Sequence, residues 1–426
     1  MSKSRVPRPD GFVPFERGAI EQSISRRFAQ QVAAGPDRTA VAMGPDALTY
    51  AQLDAWASRV AHAVLAARGE RPEPVACVVQ QGLPLIATIL GVLKAGKMYV
   101  PLEAAHPRDR LAYLLHDCAA PLALVDGAAA PLVREIGGAA LQVIDVGELD
   151  GDPPDRLSPV DVEAAAPAYI YYTTGSTGRP KGVVDSHRNV LHNVMRYTNG
   201  LGVTRDDRLT LLQSPSFSGA VSSMFCALLN GATSLPWDVR ASSAAELADY
   251  VDDAGVTIYH SVPTIFRSFL RGARVFPRVR IVRLEGDRAA MLDVELFRRH
   301  FAPTCLLANG LGATETGIVR RFLVDRETPL PGGIVPIGYP VEDMEVTLLD
   351  DDGKPVPSGM VGEIAVRSEY LALGYWNRPD LTERAFTAHA GHPASRVYRT
   401  GDLGRLREDG CLEPSAGRTC APRSGA

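Results

Sequence analysis

The sequence predicts an α/β fold with a mainly parallel sheet, followed by a smaller β-rich region. In the first half of the chain, segments with helical spacing alternate with short apolar runs typical of buried strands. From residue 332 to 386 the pattern changes to strand-like runs separated by Asp-Gly, Pro-Ser-Gly and Asn-Arg-Pro turns. Alternating strands and helices are the pattern of layered α/β proteins, so these observations set the fold class.

Four consecutive segments justify the α/β prediction. Residues 48–69 have apolar side chains at helical spacing, with Thr49 placed as a possible N-cap. Residues 74–80 are typical of a buried strand, and residues 83–96 of a helix ended by a glycine. Residues 98–115 then give strand, loop and helix. Each segment alone is ordinary core, but their order predicts parallel strands joined by helices.

The composition indicates one large globular protein with more than one core. The chain has 426 residues, is 46% hydrophobic and carries a net charge of −4. It lacks a strongly basic face that would indicate nucleic acid, an apolar segment long enough for a bilayer, and a secretory signal, so a cytoplasmic enzyme is expected. The cysteines lack the spacing of a zinc site or disulfide framework and are expected to be buried thiols. They are Cys77, Cys118, Cys226, Cys305, Cys411 and Cys420.

The stretch from Tyr172 to Gly182, YTTGSTGRPKG, predicts a phosphate site. It follows an apolar, strand-like run and combines glycines, Ser and Thr hydroxyls and a lysine. Glycines let backbone N–H groups approach phosphate oxygens, hydroxyls add neutral donors, and Lys181 adds a positive charge. The spacing of a Walker loop fails, because Pro180 precedes Lys181 and Gly182 follows it. A plain glycine-rich turn between two strands is the alternative.

Together with motifs elsewhere, this stretch resembles the phosphate loop of the adenylate-forming superfamily, which includes acyl-CoA synthetases, luciferase-like enzymes and the adenylation domains of nonribosomal peptide synthetases. The resemblance covers residues 15–418. The further matching segments are LKAGKMYVPLEAAHPRDRLAYLL, NGLGATETG, GEIAVRS, GYWNRPDLTERAF and YRTGDLGRLREDG. Of these, GYWNRPDLTERAF and YRTGDLGR are nearer to peptide-synthetase adenylation domains. The resemblance implies one large N-terminal domain at residues 1–411, with two α/β layered subdomains and a barrel-like β-rich subdomain at about residues 331–411.

The resemblance also implies a reaction. A substrate carboxylate would attack the α-phosphorus of ATP to give acyl-AMP and pyrophosphate, and a carrier protein's phosphopantetheine thiol would then accept the acyl group. Glu315 would hold Mg²⁺, a hard cation that prefers carboxylate and phosphate oxygens. The implied catalytic residues are Thr174, Lys181, Thr314 and Glu315. The implied nucleotide-binding residues are Thr173, Gly175, Ser176, Thr177, Gly178, Asn309, Gly310, Leu311, Gly312 and Asp402.

Three single positions carry separate expectations. By resemblance, Asp402 holds both ribose hydroxyls. Relatives place an aromatic ring at the position of Leu311, so adenine would here be held by dispersion contacts alone and bound more weakly. His187 is expected to cap or orient a helix, with substrate contact as the alternative.

The implied acid pocket departs from that of amino-acid-activating relatives, which place an aspartate after Phe217 to pair with the substrate's α-ammonium. This chain has Ser218 there, which argues against an ordinary α-amino acid unless another acidic group takes over. Glu285 is the candidate, because alignment by Gly286 gives it a pocket-lining position, although a one-residue slip would turn it away. The implied pocket residues are Phe217, Ser218, Gly219, Ser222, Glu285, Gly286, Gly310 and Ile318.

Residues 412–426 are expected to be a disordered remnant of the family's hinge. Gly417 and Arg418 match the hinge motif, and the polar tail has no core pattern. No residue can be assigned the role of the lysine that the family's small C-terminal domain supplies, so weak adenylation and little thioester formation are expected. Two alternatives stay open: an acyl-CoA or aryl-acid ligase, motivated by Ser218, and a largely inactive nucleotide-binding remnant.

Overall fold

Three β-sheets organise the part of the chain that the structure describes. The computed structural model describes residues 6–149, 157–174, 179–272, 274–330, 333–389, 391–392 and 394–415. Its helices are α1 (Ile24–Ala34), α2 (Tyr50–Arg68), α3 (Leu83–Lys94), α4 (Arg108–Asp117), α5 (Ala130–Gly137), α6 (His187–Leu201), α7 (Gly219–Leu228), α8 (Ala244–Asp253), α9 (Pro263–Phe269), α10 (Met291–His300) and α11 (Pro379–Ala385). Short 3₁₀ helices lie at Arg17–Ile20 and Val146–Glu148.

The largest sheet is parallel at its centre and antiparallel at its edges. Its strands are β1 (Thr39–Met43), β2 (Asp46–Thr49), β9 (Arg208–Leu211), β10 (Thr233–Pro236), β11 (Ile258–Ser261), β12 (Ile281–Leu284), β13 (Leu306–Ala313), β14 (Gly317–Val324) and β15 (Tyr339–Pro340). The hydrogen-bonded order is β15-β14-β13-β12-β11-β9-β10-β1-β2. Strands β13 to β1 along this order are parallel, while β2, β14 and β15 pair antiparallel.

The second sheet has the same design. Its strands are β3 (Pro74–Val78), β4 (Met98–Pro101), β5 (Leu122–Val125), β6 (Gln142–Asp145), β7 (Pro167–Thr174), β8 (Pro180–Ser186) and β18 (Gly374–Tyr375). Their order is β18-β8-β7-β4-β3-β5-β6, with β8 and β18 antiparallel and the other pairs parallel. The two mainly parallel sheets confirm the predicted α/β class.

The third sheet is antiparallel throughout. It contains β16 (Glu345–Leu349), β17 (Val361–Ser368), β19 (Phe386–Ala388), β20 (Arg396–Leu406) and β21 (Leu412–Pro414). Their order is β16-β17-β20-β19, and β21 pairs with β20. This is the predicted β-rich subdomain.

The structure moves both predicted boundaries of that subdomain. The segment after residue 331 first forms β15, which pairs with β14 of the largest sheet, so the third sheet starts only at Glu345. At the other end, Leu412–Pro414 lies in the range predicted to be a disordered remnant, yet it forms β21. Hydrogen bonds from Leu406 to Leu412 and from Gly404 to Pro414 hold that strand on β20. The matches at Gly417 and Arg418 lie outside the described residues.

Local signals explain several of these elements. Thr49 forms a capping box, in which its hydroxyl accepts from the Gln52 N–H at 3.2 Å and the Gln52 side chain accepts from the Thr49 N–H at 2.8 Å. This confirms the predicted N-cap. The largest core cluster joins apolar residues of five helices and both large sheets, including Phe28, Val60, Leu90, Val194, Phe225, Tyr99 and Leu209.

Two other sequence expectations have structural counterparts. Cys77, Cys118, Cys226, Cys305 and Cys411 are buried free thiols, as predicted, and Cys420 lies outside the described residues. Each helix in the described ranges is too short or too polar to cross a membrane.

Candidate active site

The predicted phosphate loop connects two antiparallel strands. Thr173 of β7 lies opposite Lys181 of β8, and Thr174 lies opposite Pro180. The Thr173 hydroxyl is buried, and no group in the described part of the chain hydrogen-bonds to it. The intervening residues Gly175, Ser176, Thr177 and Gly178 lie outside the described residues, so their phosphate contacts stay a prediction.

Lys181, Glu315 and Tyr375 form one cluster from three separate segments. The Lys181 Nζ lies 3.3 Å from Glu315 Oε1 and donates to the Tyr375 hydroxyl at 2.5 Å. Tyr375 in turn donates to Glu315 Oε1 at 2.9 Å, and burial together with Glu315 raises the pKa of Tyr375, which keeps it protonated. The structure therefore brings together the two charged residues that the sequence singled out for phosphate and metal.

A tight hairpin between β13 and β14 positions Glu315. Ala313 N–H donates to the Thr316 hydroxyl at 3.2 Å, and Gly317 continues the turn with φ +63°. Glu315 is 5% exposed, and its carbonyl accepts from the Ala372 N–H at 2.9 Å. The side chain of Thr314 points towards α7, where its hydroxyl lies 2.7 Å from that of Ser218.

The contact between Thr314 and Ser218 joins the predicted phosphate and acid sites. Ser218 immediately precedes α7, and Thr314 immediately precedes the carboxylate of Glu315. A substrate acid lying beside Ser218 would therefore be close to the residues predicted to contact phosphate. The two sites that the sequence predicted separately are adjacent in the fold.

Glu285 is the centre of a buried charge network among the residues of the predicted acid pocket. Its Oε2 accepts from the Tyr197 hydroxyl at 2.5 Å and from Arg283 Nη2 at 3.2 Å, and it lies 3.7 Å from His260 Nε2. Burial raises the pKa of Glu285, but Arg283, His260 and the hydrogen-bond donors outweigh this effect and lower the pKa to about 2. Burial lowers the pKa of His260 to about 3, so its imidazole is neutral. Glu285 is thus a carboxylate already neutralised by Arg283.

Arg283 also connects this network to α7. Its guanidinium donates to the Ser222 hydroxyl at 3.1 Å and covers the Tyr197 ring at 3.9 Å from the ring centroid. Arg283 is 1% exposed, so its charge depends on Glu285 for compensation. Ser222 donates to the Gly219 carbonyl at 3.1 Å, which fixes its hydroxyl at the start of the helix.

The remaining predicted pocket residues surround this network. A Cβ on Gly310 would approach Ile318 Cδ1 to 2.7 Å and Glu285 Oε1 to 3.0 Å. Glycine at this position therefore gives these two side chains the room that they occupy. The Phe217 ring lies next to two other glycines, because Cβ atoms on Gly219 and Gly286 would contact it at 2.8 and 3.4 Å. The predicted pocket set is therefore contiguous in the structure.

Other predicted residues have different surroundings. The Asn309 side chain donates to the Pro336 carbonyl at 2.7 Å, and Leu311 packs against the core of the third sheet. A Cβ on Gly312 would lie 2.7 Å from the Gly317 carbonyl oxygen. Asp402 is half-buried on β20, and its N–H donates to the Thr400 hydroxyl at 3.1 Å. Their nucleotide contacts stay predictions.

His187 has the helix role that the sequence favoured. It is the first residue of α6, 1% exposed, and its Nδ1 accepts from the Ile24 N–H at 3.2 Å. Burial lowers its pKa to about 4, so the neutral imidazole acts as an acceptor that joins α1 to α6. The described contacts give it no place in the Lys181 or Glu285 clusters.

Four residues of the site were missed by the sequence prediction. They are Tyr197, His260, Arg283 and Tyr375. Arg283 had a usable signal, because residues two apart on a strand share a face and Arg283 precedes Glu285 by two. Tyr197 and Tyr375 gave no local sequence pattern of this kind, since their hydrogen-bond partners are far away in the sequence.

The donor set at Glu315 fits Mg²⁺ bound together with a nucleotide. Across the residues that the structure describes, no group of three or more His, Cys, Asp or Glu could hold a metal ion alone. Mg²⁺ commonly uses only one or two carboxylates and takes its other ligands from phosphates and water. Glu315 beside the phosphate-loop strands meets that requirement.

Comparison with known proteins identifies the class. A family model described as AMP-binding enzyme matches residues 28–376, and the chain therefore belongs to this family of adenylate-forming ligases. The superfamily predicted from the sequence is confirmed.

Similar proteins include a tyrocidine synthase and a nonribosomal peptide synthetase. The chain is 31% identical over 419 residues to tyrocidine synthase 1 of Brevibacillus parabrevis, covering 97% of this chain and 37% of that protein. Among solved structures, the AMPPNP-bound form of the nonribosomal peptide synthetase FmoA3 matches with a TM-score of 0.85 and 30% identity, over 98% of this chain and 44% of that chain. Its α-methyl-L-serine-AMP-bound form matches with a TM-score of 0.85 and 31% identity, over 94% and 45%. The chain thus spans less than half of each of these proteins.

Proposed function

We propose that this chain activates a small carboxylic acid with ATP. A carboxylate oxygen of the acid attacks the α-phosphorus, the new O–P bond gives acyl-AMP, and the bond to the leaving pyrophosphate breaks. The observation that carries the proposal is the convergence of Lys181 and Glu315, 3.3 Å apart, next to the acid pocket. The AMPPNP-bound form of FmoA3 supports nucleotide binding at this fold.

The residues of this chain have distinct parts in that reaction. Lys181 would exchange Glu315 for a phosphate oxygen, since its side chain is 24% exposed and is not locked by burial. Glu315 would then be available for Mg²⁺, which neutralises phosphate charge when bound. The hydroxyls of Thr174 and Thr314 would donate to phosphate oxygens. The buried hydroxyl of Thr173, which finds no partner among the described residues, supports a further contact from the same strand as Thr174.

The acid pocket favours a substrate that does not need a carboxylate partner for an α-ammonium. Ser218 offers a hydroxyl at that position, and Glu285 is already paired with Arg283. A neutral hydroxy or aryl acid would meet these groups without leaving a charge uncompensated. An amino acid is the second candidate, supported by the form of FmoA3 with bound α-methyl-L-serine-AMP.

The similar proteins suggest the acceptor. Because FmoA3 is a nonribosomal peptide synthetase, a phosphopantetheine thiol on a peptidyl or acyl carrier protein is the proposed acceptor, and coenzyme A is the alternative. A reaction that consumes ATP also agrees with the predicted cytoplasmic location.

Acid-dependent exchange of labelled pyrophosphate into ATP tests the activation step. Separate pools of α-amino, β-amino, hydroxy, aryl and fatty acids are offered to the chain and to its Glu315→Gln variant. Exchange with one pool, lost in the variant, would establish the activity and the substrate class. If every pool failed although ATP still bound, the nucleotide-binding remnant would be the better description.

A further inference from the structure

A cavity beside α6 contains an unusual pair of buried cations. It has a volume of about 170 Å³ and is lined by Arg196 and Gly200 of α6, Arg321 of β14 and Glu342. Arg196 is 3% exposed and Arg321 is 1% exposed. Two guanidinium groups thus share one small space that the proposed adenylation chemistry does not use.

Arg321 is the less compensated of the two. No acceptor for its Nε or Nη2 exists among the described residues, and Glu285, the carboxylate that attracts it from a distance, is already paired with Arg283. Its side chain approaches the Tyr197 ring, at 5.5 Å from the centroid. Burial lowers its pKa, which reflects the cost of keeping the charge there. A buried cation of this kind destabilises the fold unless an anion compensates it.

Arg196 brings a second donor to the same cavity. Its Nη atoms donate to the carbonyls of Ile318 and Thr316 and to the Asn193 side chain. Its Nε is buried and finds no acceptor in the ranges described by the structure. Burial lowers the pKa of Arg196 to about 10, still high enough for the group to be charged at neutral pH.

The surroundings keep this space open. A Cβ on Gly200 would collide with Arg321 Nη1, so glycine makes room for the guanidinium. The Asn199 amide is occupied, because it donates to the Phe15 carbonyl at 3.0 Å and accepts from the Phe15 N–H at 2.9 Å. Glu342 also lines the cavity, but its Oε1 lies 3.1 Å from Arg17 Nη2, which offsets its repulsion of an anion.

We propose that the cavity binds a small inorganic anion, such as chloride or phosphate, between Arg196 and Arg321. Water could accept hydrogen bonds there but would not compensate two charges. The volume exceeds the roughly 10–15 Å³ that holds one water on the same measure, so a small oxyanion also fits. The anion would stabilise α6 against β14, and through Arg196 the turn that carries Glu315.

Crystals of the full chain grown in sodium bromide provide a site-specific test. An anomalous peak between Arg196 and Arg321 is expected in the bromide crystals. Crystals grown in phosphate then distinguish the kind of anion: tetrahedral density would indicate an oxyanion site, and its absence would indicate a halide site. Ordered water alone in both crystals would overturn the proposal. This experiment needs no ATP or acid, so its failure would leave the proposed adenylation untouched, and the reverse also holds.

Titration calorimetry with bromide and with phosphate, at constant ionic strength in sodium gluconate, gives a second readout. In Arg321→Met the affinity should fall at least about tenfold, because a hydrogen bond to a charged group is lost. Arg108→Met is the matched control, since Arg108 of α4 is exposed and pairs with Glu135 of α5, away from the cavity lining. Equal affinities in wild type and Arg321→Met would refute the site. If Arg321→Met did not fold, the bromide crystals of the wild type would still decide.

Discussion

Two carboxylate–cation pairs lie in the candidate site, and they differ in how deeply the cation is buried. Arg283, paired with Glu285, has 1% of its side chain exposed, whereas Lys181, paired with Glu315, has 24% exposed. A fully buried cation cannot leave its partner cheaply, because both charges would lose their compensation. A partly hydrated lysine can exchange one anion for another. We therefore regard the first pair as a fixed wall of the pocket and the second as a pair that opens for phosphate.

The two tyrosines sharpen this contrast. Tyr197 donates to Glu285 at 2.5 Å from a ring that Arg283 covers, so carboxylate, cation and hydroxyl form one closed unit. Tyr375 donates to Glu315 at 2.9 Å and also accepts from the neighbouring lysine. In the second unit the tyrosine can hold Glu315 in place after the lysine has left. The same three chemical groups therefore serve structure in one place and exchange in the other.

Removing the cation should separate the pairs most strongly. Arg283→Met leaves Glu285 buried without its partner and should lower the free energy of unfolding by about 3–5 kcal/mol. Lys181→Met, the matched change in the other pair, should cost less than Arg283→Met, because this lysine is partly hydrated and Tyr375 still donates to Glu315 after its removal. Urea denaturation of both variants measures this difference. Equal losses would show that the two pairs are not distinct.

Removing the carboxylate charge of the second pair should change the reaction rate much more than the stability. Glu315→Gln should reduce the rate of pyrophosphate exchange by about 10²–10³, the usual effect of losing one electrostatic contact to a transition state. Its free energy of unfolding should stay within about 1 kcal/mol of wild type, since the amide can still accept from Tyr375. A stability loss large enough to explain the lower rate would argue that Glu315 is structural.

The pH dependence of stability should report the fixed pair. Glu285 has its pKa lowered from 4.5 to about 2 in the folded state, so the folded state binds fewer protons than the unfolded state between these values. Its contribution is complete above about pH 5 and is lost as the pH falls towards 2, with a total of about 3 kcal/mol. Denaturant unfolding at several pH values, compared with the double variant Arg283→Met, Glu285→Gln, isolates it. Parallel curves for both proteins would contradict the assignment.

The smallest expected effects come from the hydroxyls. Tyr197→Phe removes a donor from a buried carboxylate and should cost about 1–3 kcal/mol of stability. Tyr375→Phe should cost less stability but slow pyrophosphate exchange by about tenfold, because Glu315 would lose its positioning hydrogen bond. Thermal unfolding should show the larger loss for Tyr197→Phe, and pyrophosphate exchange should be slowed more by Tyr375→Phe. A slower exchange in both variants with unchanged stability would remove the distinction.

Signals between close neighbours made most of the fold predictable. The cap at Thr49, the buried strand at Pro74–Val78 and the α/β alternation all depend on residues within one element. The partners of the tyrosines could not be predicted in this way, because Tyr197 and Glu285 are 88 residues apart and Lys181 and Tyr375 are 194 apart. Such pairings arise only when sheets and helices assemble.

The strand at the end of the third sheet shows a different limit. A short, polar and proline-bearing sequence predicted disorder after residue 411, yet Leu412–Pro414 pairs with β20. Leu412 is fully buried in the core of that sheet, so tertiary packing decides the conformation there. For the pocket set, the resemblance supplied positions that periodicity alone does not, and several of these positions lie together in the structure.

The hairpin of β13 and β14 has a consequence for engineering this protein. Gly310 and Ile318 on its strands border the predicted acid pocket, while Thr314 and Glu315, the residues proposed to act at phosphate and metal, lie at its turn. If the proposed function holds, replacing residues of the hairpin to admit a different acid would also shift this turn, so selectivity and turnover would change together. Ser222 lies on α7 instead, and substitutions there should retune acid preference with the least loss of rate.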